Sequence, residues 1–241
     1  MSRLDRALAT PDAKRQYVRT LFHTIADRYD LITVLLSYGQ DRRWKRRLVA
    51  QAAARPGERA LDLAAGTGDI AFALAAAGAR VTALDVTHRM LELARAKDPA
   101  LACVTGDMMA LPFPDASMDL VTTGYGLRNV PVLDGAVREI ARVLRPGGRF
   151  LSLDFERPAG RVLRGAYLGY LSVVGGAVGA VLHGDPDTYR YIPASLARYP
   201  GAAGVGRLLS GAGFERVAIT PLLGGLMALH AAVRGPVQRS T

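Results

Sequence analysis

Apolar positions follow two different rhythms along this chain. From Tyr17 to Tyr29 they fall at Val18, Leu21, Phe22, Ile25 and Tyr29, a helical spacing. A second helix is predicted from Asp41, read as its N-cap, to Ala54, with Arg55-Pro56-Gly57 ending it. Beyond that point short apolar runs alternate with helical segments. The runs Arg59–Ala64, Arg80–Leu84, Leu101–Thr105, Asp119–Thr123 and Arg149–Phe155 are predicted strands. Between them lie the predicted helices Asp69–Ala77, Thr87–Ala96 and Asp134–Leu144. Such alternation predicts a Rossmann-like α/β fold, with a mostly parallel sheet and helices on both faces. The rhythm breaks over 156–200, then resumes with a helix at Gly204–Ala212 and strands at Glu215–Leu222 and Leu226–Val233. Strands joined so closely must be antiparallel, so the seven-stranded sheet is expected to end in a hairpin.

A chain of 241 residues fits a single domain over 1–241. Its parts are an N-terminal helical cap (1–54), a ligand-binding core (55–155), an insertion (156–200) and a C-terminal helix and hairpin (201–241). The opening MSRLDRALAT has charges where the apolar core of a secretory signal would lie, and the single Cys103 fits a reducing compartment. Both point to the cytoplasm. The uncharged run Gly165–Leu182 carries five glycines and falls short of the roughly 20 apolar residues a spanning helix needs. A net charge of +10 raises the question of nucleic acid. Basic residues interleaved with exposed aromatics are not visible, and none is expected as a partner. The densest basic cluster, Arg42 to Arg47 around Trp44, reads as the solvated face of a helix.

The segment after the first strand, Leu61-Asp62-Leu63-Ala64-Ala65-Gly66-Thr67-Gly68-Asp69, is a glycine loop entering a helix. Alone it is ambiguous, because Gly66-Thr67-Gly68-Asp69-Ile70-Ala71 also fits a dinucleotide fingerprint. Charge separates the two ligands. A pyrophosphate would be repelled by Asp62 and Asp69, whereas S-adenosylmethionine brings an ammonium and a sulfonium. At 4 Å and an effective dielectric near 20, that change of sign is worth roughly 4 kcal/mol. Asp85, ending the second strand, is positioned to accept ribose hydroxyls. Asp107 and Met108, after the third, are positioned for the adenine amino group and ring. Asp62, Gly66, Thr67, Gly68, Asp85, Asp107 and Met108 are therefore the candidate donor-binding residues. A parallel sheet ending in a hairpin, with this loop, is the pattern of a class I S-adenosylmethionine-dependent methyltransferase.

Further motifs narrow the kinship. Ile25-Ala26-Asp27-Arg28-Tyr29-Asp30, Leu36-Ser37-Tyr38-Gly39-Gln40-Asp41 and Ala110-Leu111-Pro112-Phe113-Pro114-Asp115 precede Tyr125-Gly126-Leu127-Arg128-Asn129-Val130, and Gly224-Gly225-Leu226-Met227-Ala228-Leu229-His230 comes after. With them the chain resembles the ubiquinone/menaquinone biosynthesis C-methyltransferase family from about Phe22 to Val233. The resemblance implies methylation of a ring carbon of a prenylated quinol, with demethylmenaquinol preferred and the ubiquinone-precursor benzoquinol or another small aromatic left as alternatives. It also implies donor contacts at Thr67, Asp85, Asp107 and Met108. Gly124, where the family often has serine, and Met108, usually a smaller residue, depart from its pattern.

The four histidines are widely spaced and no metal is expected. Arg128 is the candidate to stabilise a developing phenolate or orient a water, and Asn129 to hold the other ring oxygen. His230 is read as structural, and Tyr29 with Asp30 as a candidate cover for the donor. Arg161 to Leu182 is read as a mobile lid that forms a channel for the prenyl tail and touches membrane lipid, aided by the Arg42–Arg47 cluster. Oligomeric state is not legible.

Overall fold

The computed structural model describes residues 3–37, 39–158 and 160–236; Tyr38 and the last five positions of the C-terminal segment lie outside them. The N-terminal region is four helices. Helix α1 (Arg3–Ala7) precedes α2 (Pro11–Ile25), whose start is fixed by the Thr10 side chain accepting the Ala13 N–H and by Pro11 in the first turn. Its apolar stripe buries Val18, Leu21 and Ile25. A 3-10 turn, Ala26–Arg28, then redirects the chain into α3 (Tyr29–Leu36), so the helix expected over 17–29 starts earlier and stops before Tyr29. Helix α4 (Asp41–Ala52) buries Trp44 and Leu48. Asp41 is its first residue rather than a capping side chain; it is buried, and its carboxylate serves Lys45 and Tyr125 instead.

The alternating region continues as β1 (Arg59–Leu63), α5 (Asp69–Ala76), β2 (Arg80–Asp85), α6 (His88–Lys97), β3 (Ala102–Thr105), β4 (Met118–Gly124), α7 (Leu133–Val143) and β5 (Leu144–Phe155). After α8 (Arg161–His183), α9 (Asp187–Arg198) and α10 (Gly201–Gly211) come β6 (Phe214–Leu222) and β7 (Met227–Arg234). The described residues form one seven-stranded sheet in the order β3-β2-β1-β4-β5-β7-β6. Only β7 runs antiparallel to its neighbours, so the expected closing hairpin is present. One core lies between the sheet and α7 with α10, around Val121, Ile140, Phe150 and Leu209. A second lies under α4 and α5, around Leu48, Leu74, Leu120 and Leu229, and a third joins the N-terminal helices to α9 around Val18, Leu21, Tyr189 and Tyr191. Strand order reverses between β1 and β4, and ligands of open α/β sheets bind at that crevice.

Among its described residues the insertion is two helices, α8 and α9, joined by a short turn. Helix α8 runs unbroken for 23 residues, although a helix-interior glycine costs about 1 kcal/mol against alanine. Three of its five glycines, Gly175, Gly176 and Gly179, lie against α9 and the turn leading into it, whereas Gly165 and Gly169 face open space. A Cβ at Gly179 would lie 2.5 Å from the Asp185 carbonyl oxygen, and one at Gly175 would lie 3.1 Å from that of Tyr189. Close approach of the two backbones thus offsets the propensity cost. The helix is also longer than the uncharged run suggested, and among the described residues it is long and apolar enough to cross a membrane. Tyr167, Leu168 and Leu171 pack on the core beneath α7. On the other side Val162, Tyr170, Val173 and Val181 face outward, with Val162 88% and Val181 83% exposed.

Candidate active site

The glycine loop leaves β1 with Ala64 already at φ +50° and Gly66 at +55°, which turns its amides toward the ends of the neighbouring strands. The Gly66 N–H donates to Asp85 Oδ2 at 2.9 Å, and the Thr87 N–H donates to Asp85 Oδ1 at 2.8 Å. Burial raises the Asp85 carboxyl above its ordinary range. Above this junction lies a cavity holding about 690 Å³ of space, walled by Gly66, Asp85, Asp107, Met108 and Asn129 among others. Its cover is α2, through Arg15, Val18, Arg19 and Phe22, together with Tyr29. Asp107 Oδ1 accepts the Met109 N–H at 2.9 Å, and Oδ2 lies 3.3 Å from Arg15 Nε. A Cβ at Gly124 would lie 2.7 Å from Ile70 Cδ1, so a serine there would need that side-chain end to move.

Three predicted donor residues lie outside this wall. Gly68, at φ +93°, starts α5. The Thr67 hydroxyl donates to Asp30 Oδ1, and Lys97 bonds both Asp30 and the Thr67 carbonyl, so Asp30 braces the loop. Asp62 is buried inside β1, where Oδ1 accepts the Thr122 hydroxyl at 2.7 Å. Among the described residues its Oδ2 is buried without a partner at normal hydrogen-bond distance, and burial pushes its pKa up to about 7. An unpartnered carboxylate oxygen near a glycine loop fits a ligand that brings a cationic donor, such as the ammonium of S-adenosylmethionine.

A second cavity, about 640 Å³, adjoins the first. Its lining is apolar and aromatic, with Ile25, Trp44, Phe155, Tyr189, Tyr191 and Ile192. The two share four residues: Phe22, Tyr29, Tyr125 and Asn129. Arg128 lines only the second. Its guanidinium lies over the rings of Phe155 (5.5 Å) and Tyr191 (5.7 Å) and bonds the Ser195 hydroxyl, with Asp154 Oδ1 3.6 Å from Nε. Asn129 Nδ2 donates to the Tyr125 carbonyl and Oδ1 accepts the Tyr191 hydroxyl. Lys14 holds the backbone of this segment from α2, donating to the carbonyls of Arg128 (3.0 Å) and Val130 (2.7 Å). Burial first, then the Arg128 charge, pull Lys14 down to about 8. His230 is a brace away from both cavities: Nε2 contacts the Ala202 carbonyl at 3.0 Å and Nδ1 the Ser152 hydroxyl at 3.1 Å. Because a carbonyl only accepts, the proton sits on Nε2.

Sequence reading brought Asp85, Asp107, Met108 and Gly66 to one cavity and Arg128 with Asn129 to the next. It did not foresee Arg15, the Asp154 partner of Arg128, or Trp44 as a cavity wall. The Tyr-rich stretch 187–199 was the only signal for Tyr189 and Tyr191.

The ubiE/COQ5 methyltransferase family pattern matches residues 10–234. A protein of Mycobacterium sp. (strain KMS) named demethylmenaquinone methyltransferase is 41% identical over 228 residues, covering 95% of this chain and 98% of that one. A ubiquinone/menaquinone biosynthesis C-methyltransferase of Rubrivivax gelatinosus is 40% identical over 222 residues, covering 92% and 88%. Among solved structures, a SAM-dependent methyltransferase of Thermotoga maritima superposes with a TM-score of 0.65 at 17% identity, covering 90% of this chain and 99% of that one. A phosphoethanolamine N-methyltransferase of Haemonchus contortus, solved with S-adenosyl-L-methionine, gives 0.60 at 15%, covering 80% and 53%. At such identities the likeness is one of fold.

Proposed function

The chain belongs to the ubiE/COQ5 methyltransferase family, and from that premise we propose that it transfers the methyl group of S-adenosylmethionine to a ring carbon of a prenylated quinol, demethylmenaquinol, in menaquinone biosynthesis. The observation that carries this reading is the pair of joined cavities. One is built around Asp85 and the glycine loop, and the other is lined by aromatic and aliphatic side chains. A flat two-ring quinol suits the second. Bound in the first, the donor supplies a methyl on a positively charged sulfur, already activated for transfer. The chain's own task is then alignment, which excludes water and holds donor and acceptor in line.

Asp85 fixes the loop and would hold the donor's ribose through its remaining lone pairs, and Asp107 and Met108 would meet the adenine. Asp62, buried behind the cavity wall, would act on the ammonium through its charge, with Thr67, Gly68 and Asp30 holding the loop. In the acceptor cavity Arg128 stabilises negative charge on a ring oxygen, and Asn129 holds the ring from the junction side. The guanidinium is fixed by two rings, Ser195 and Asp154, so it is ready without reorganisation.

The prenyl tail requires access to a bilayer. The outward stripe of α8 (Val162, Ala166, Tyr170, Val173, Ala177 and Val181) carries no charge, and Arg161 stands exposed at its start. This face touches lipid at the inner side of the membrane in a peripheral manner. The deciding assay is purified protein with S-adenosylmethionine and demethylmenaquinol in detergent, with product identified by mass. Menaquinol is expected; methylation of the benzoquinol precursor alone would overturn the naphthoquinol reading.

A further inference from the structure

A ring carbon that accepts a methyl must afterwards lose its hydrogen, and the carbon in question has to lie where donor and acceptor cavities meet. Of the four residues at that junction, Phe22 has no polar atom and the Asn129 amide is no base. Tyr29 has a hydroxyl without a carboxylate bonded to it among the described residues. Tyr125 differs: its hydroxyl donates to Asp41 Oδ1 at 2.7 Å. From this juxtaposition we propose that Tyr125 and Asp41 form the proton relay of the reaction, an inference that rests on the quinol C-methylation proposed above.

In this step the ring C–H bond breaks and its electron pair returns to the ring. The proton passes to Tyr125 Oη as the hydroxyl's own proton passes to Asp41 Oδ1. Nothing is oxidised or reduced. No phenolate stands free in the process, in keeping with the buried Tyr125 hydroxyl, which titrates well above its usual range.

Three features of the fold serve this relay. Tyr125 has φ +61°, a left-handed conformation that costs a tyrosine energy and that surrounding structure must impose; its N–H donates to the Leu153 carbonyl at 2.7 Å. That conformation places the ring against Phe155 at 5.5 Å while the hydroxyl reaches α4. Asp41 is buried, and Lys45 Nζ lies 2.7 Å from its Oδ2, leaving Oδ1 to the Tyr125 hydroxyl. Lys45 also lies 2.9 Å from Asp69 Oδ2, so it keeps an anionic partner when Asp41 takes up the proton. Tyr189 is another cavity hydroxyl beside a base, 2.9 Å from His183 Nε2, but it lines only the acceptor cavity, away from the donor.

The test compares wild type, Tyr125→Phe and Asp41→Asn with quinol carrying deuterium at the accepting carbon. In wild type, methyl transfer limits the rate and no primary isotope effect is expected. Each variant is expected to slow by about 10²-fold or more and to show a primary isotope effect, because proton removal now limits. Calorimetric titration with S-adenosylhomocysteine is expected to give unchanged affinity, and Asp41→Glu should recover part of the lost rate. A structural role for Asp41 would alter binding and not the isotope effect. Variants that keep wild-type turnover, or slow without an isotope effect, overturn the relay alone. A wild-type enzyme that binds S-adenosylhomocysteine but leaves the quinol unmethylated overturns the function and the relay together.

Discussion

The Gly66 amide donates to the carboxylate of Asp85 at 2.9 Å, so the acid ending β2 and the glycine loop after β1 form one unit. Asp85→Ala therefore removes a loop anchor together with the proposed donor contact. A carboxylate bonded to ribose hydroxyls is worth about 1.5–3 kcal/mol, or roughly 10–150-fold in affinity. Titration with S-adenosylhomocysteine should show a loss in that range. The melting temperature should also fall, because the Gly66 and Thr87 amides lose their acceptor. Unchanged affinity would mean the donor lies elsewhere.

The proposed action of Asp62 on the donor would tie binding to pH. Burial holds the Asp62 carboxyl near 7 in the folded chain, against an ordinary 3.8. An acid whose pKa is raised on folding contributes most to stability below its unfolded pKa, and that contribution is lost as pH rises through the folded one. Asp62→Asn should therefore melt higher than wild type at pH 8 and no higher at pH 4. A donor ammonium favours the ionised form, so ligand binding at pH 6 should release a proton from wild type. Calorimetry in buffers of different ionisation enthalpy measures that release. Its presence in Asp62→Asn would show that another group is responsible.

Arg128 and Asp154 are a buried pair whose stability and chemical roles can be separated. Arg128→Ala leaves Asp154 buried and unpaired, expected to cost about 3–5 kcal/mol of stability. It should lower turnover by about 10²–10³-fold with donor affinity kept. The double variant Arg128→Met/Asp154→Leu should regain most of the stability and none of the turnover. Recovery of both would make Arg128 a brace only.

The outward face of α8 gives a prediction about lipid. Leu171 packs on the core and is the wrong site to probe, whereas Val173 and Val181 are exposed. Val173→Asp/Val181→Asp should lose flotation with anionic liposomes while keeping activity on a quinol with a truncated tail. If the variant floats like wild type, or if a dimer in solution already covers this face, the membrane reading of α8 fails.

Much of the fold was legible because strand–helix alternation and turn glycines are local signals. The strands of the core, the closing hairpin and the glycine loop all come from spacing. What misled was equally local. Asp41 stood where an N-cap would stand, and only the approach of β4 makes it Tyr125's acceptor, 84 residues away. The glycines of α8 suggested a loose lid, and the role of Gly175, Gly176 and Gly179 appeared only once α9 and the turn before it lay against them.

Residue types and their order determined the sheet, the donor loop and the acids at strand ends, because backbone preferences and hydrophobic periodicity act within a few residues. Tertiary structure alone decided which side chains share a cavity. It turned Thr67 toward Asp30, set the Arg128 guanidinium over two rings, and brought Tyr189 and Tyr191 into one cavity with Trp44. Those neighbours are far apart along the chain, and packing rather than local propensity brings them together.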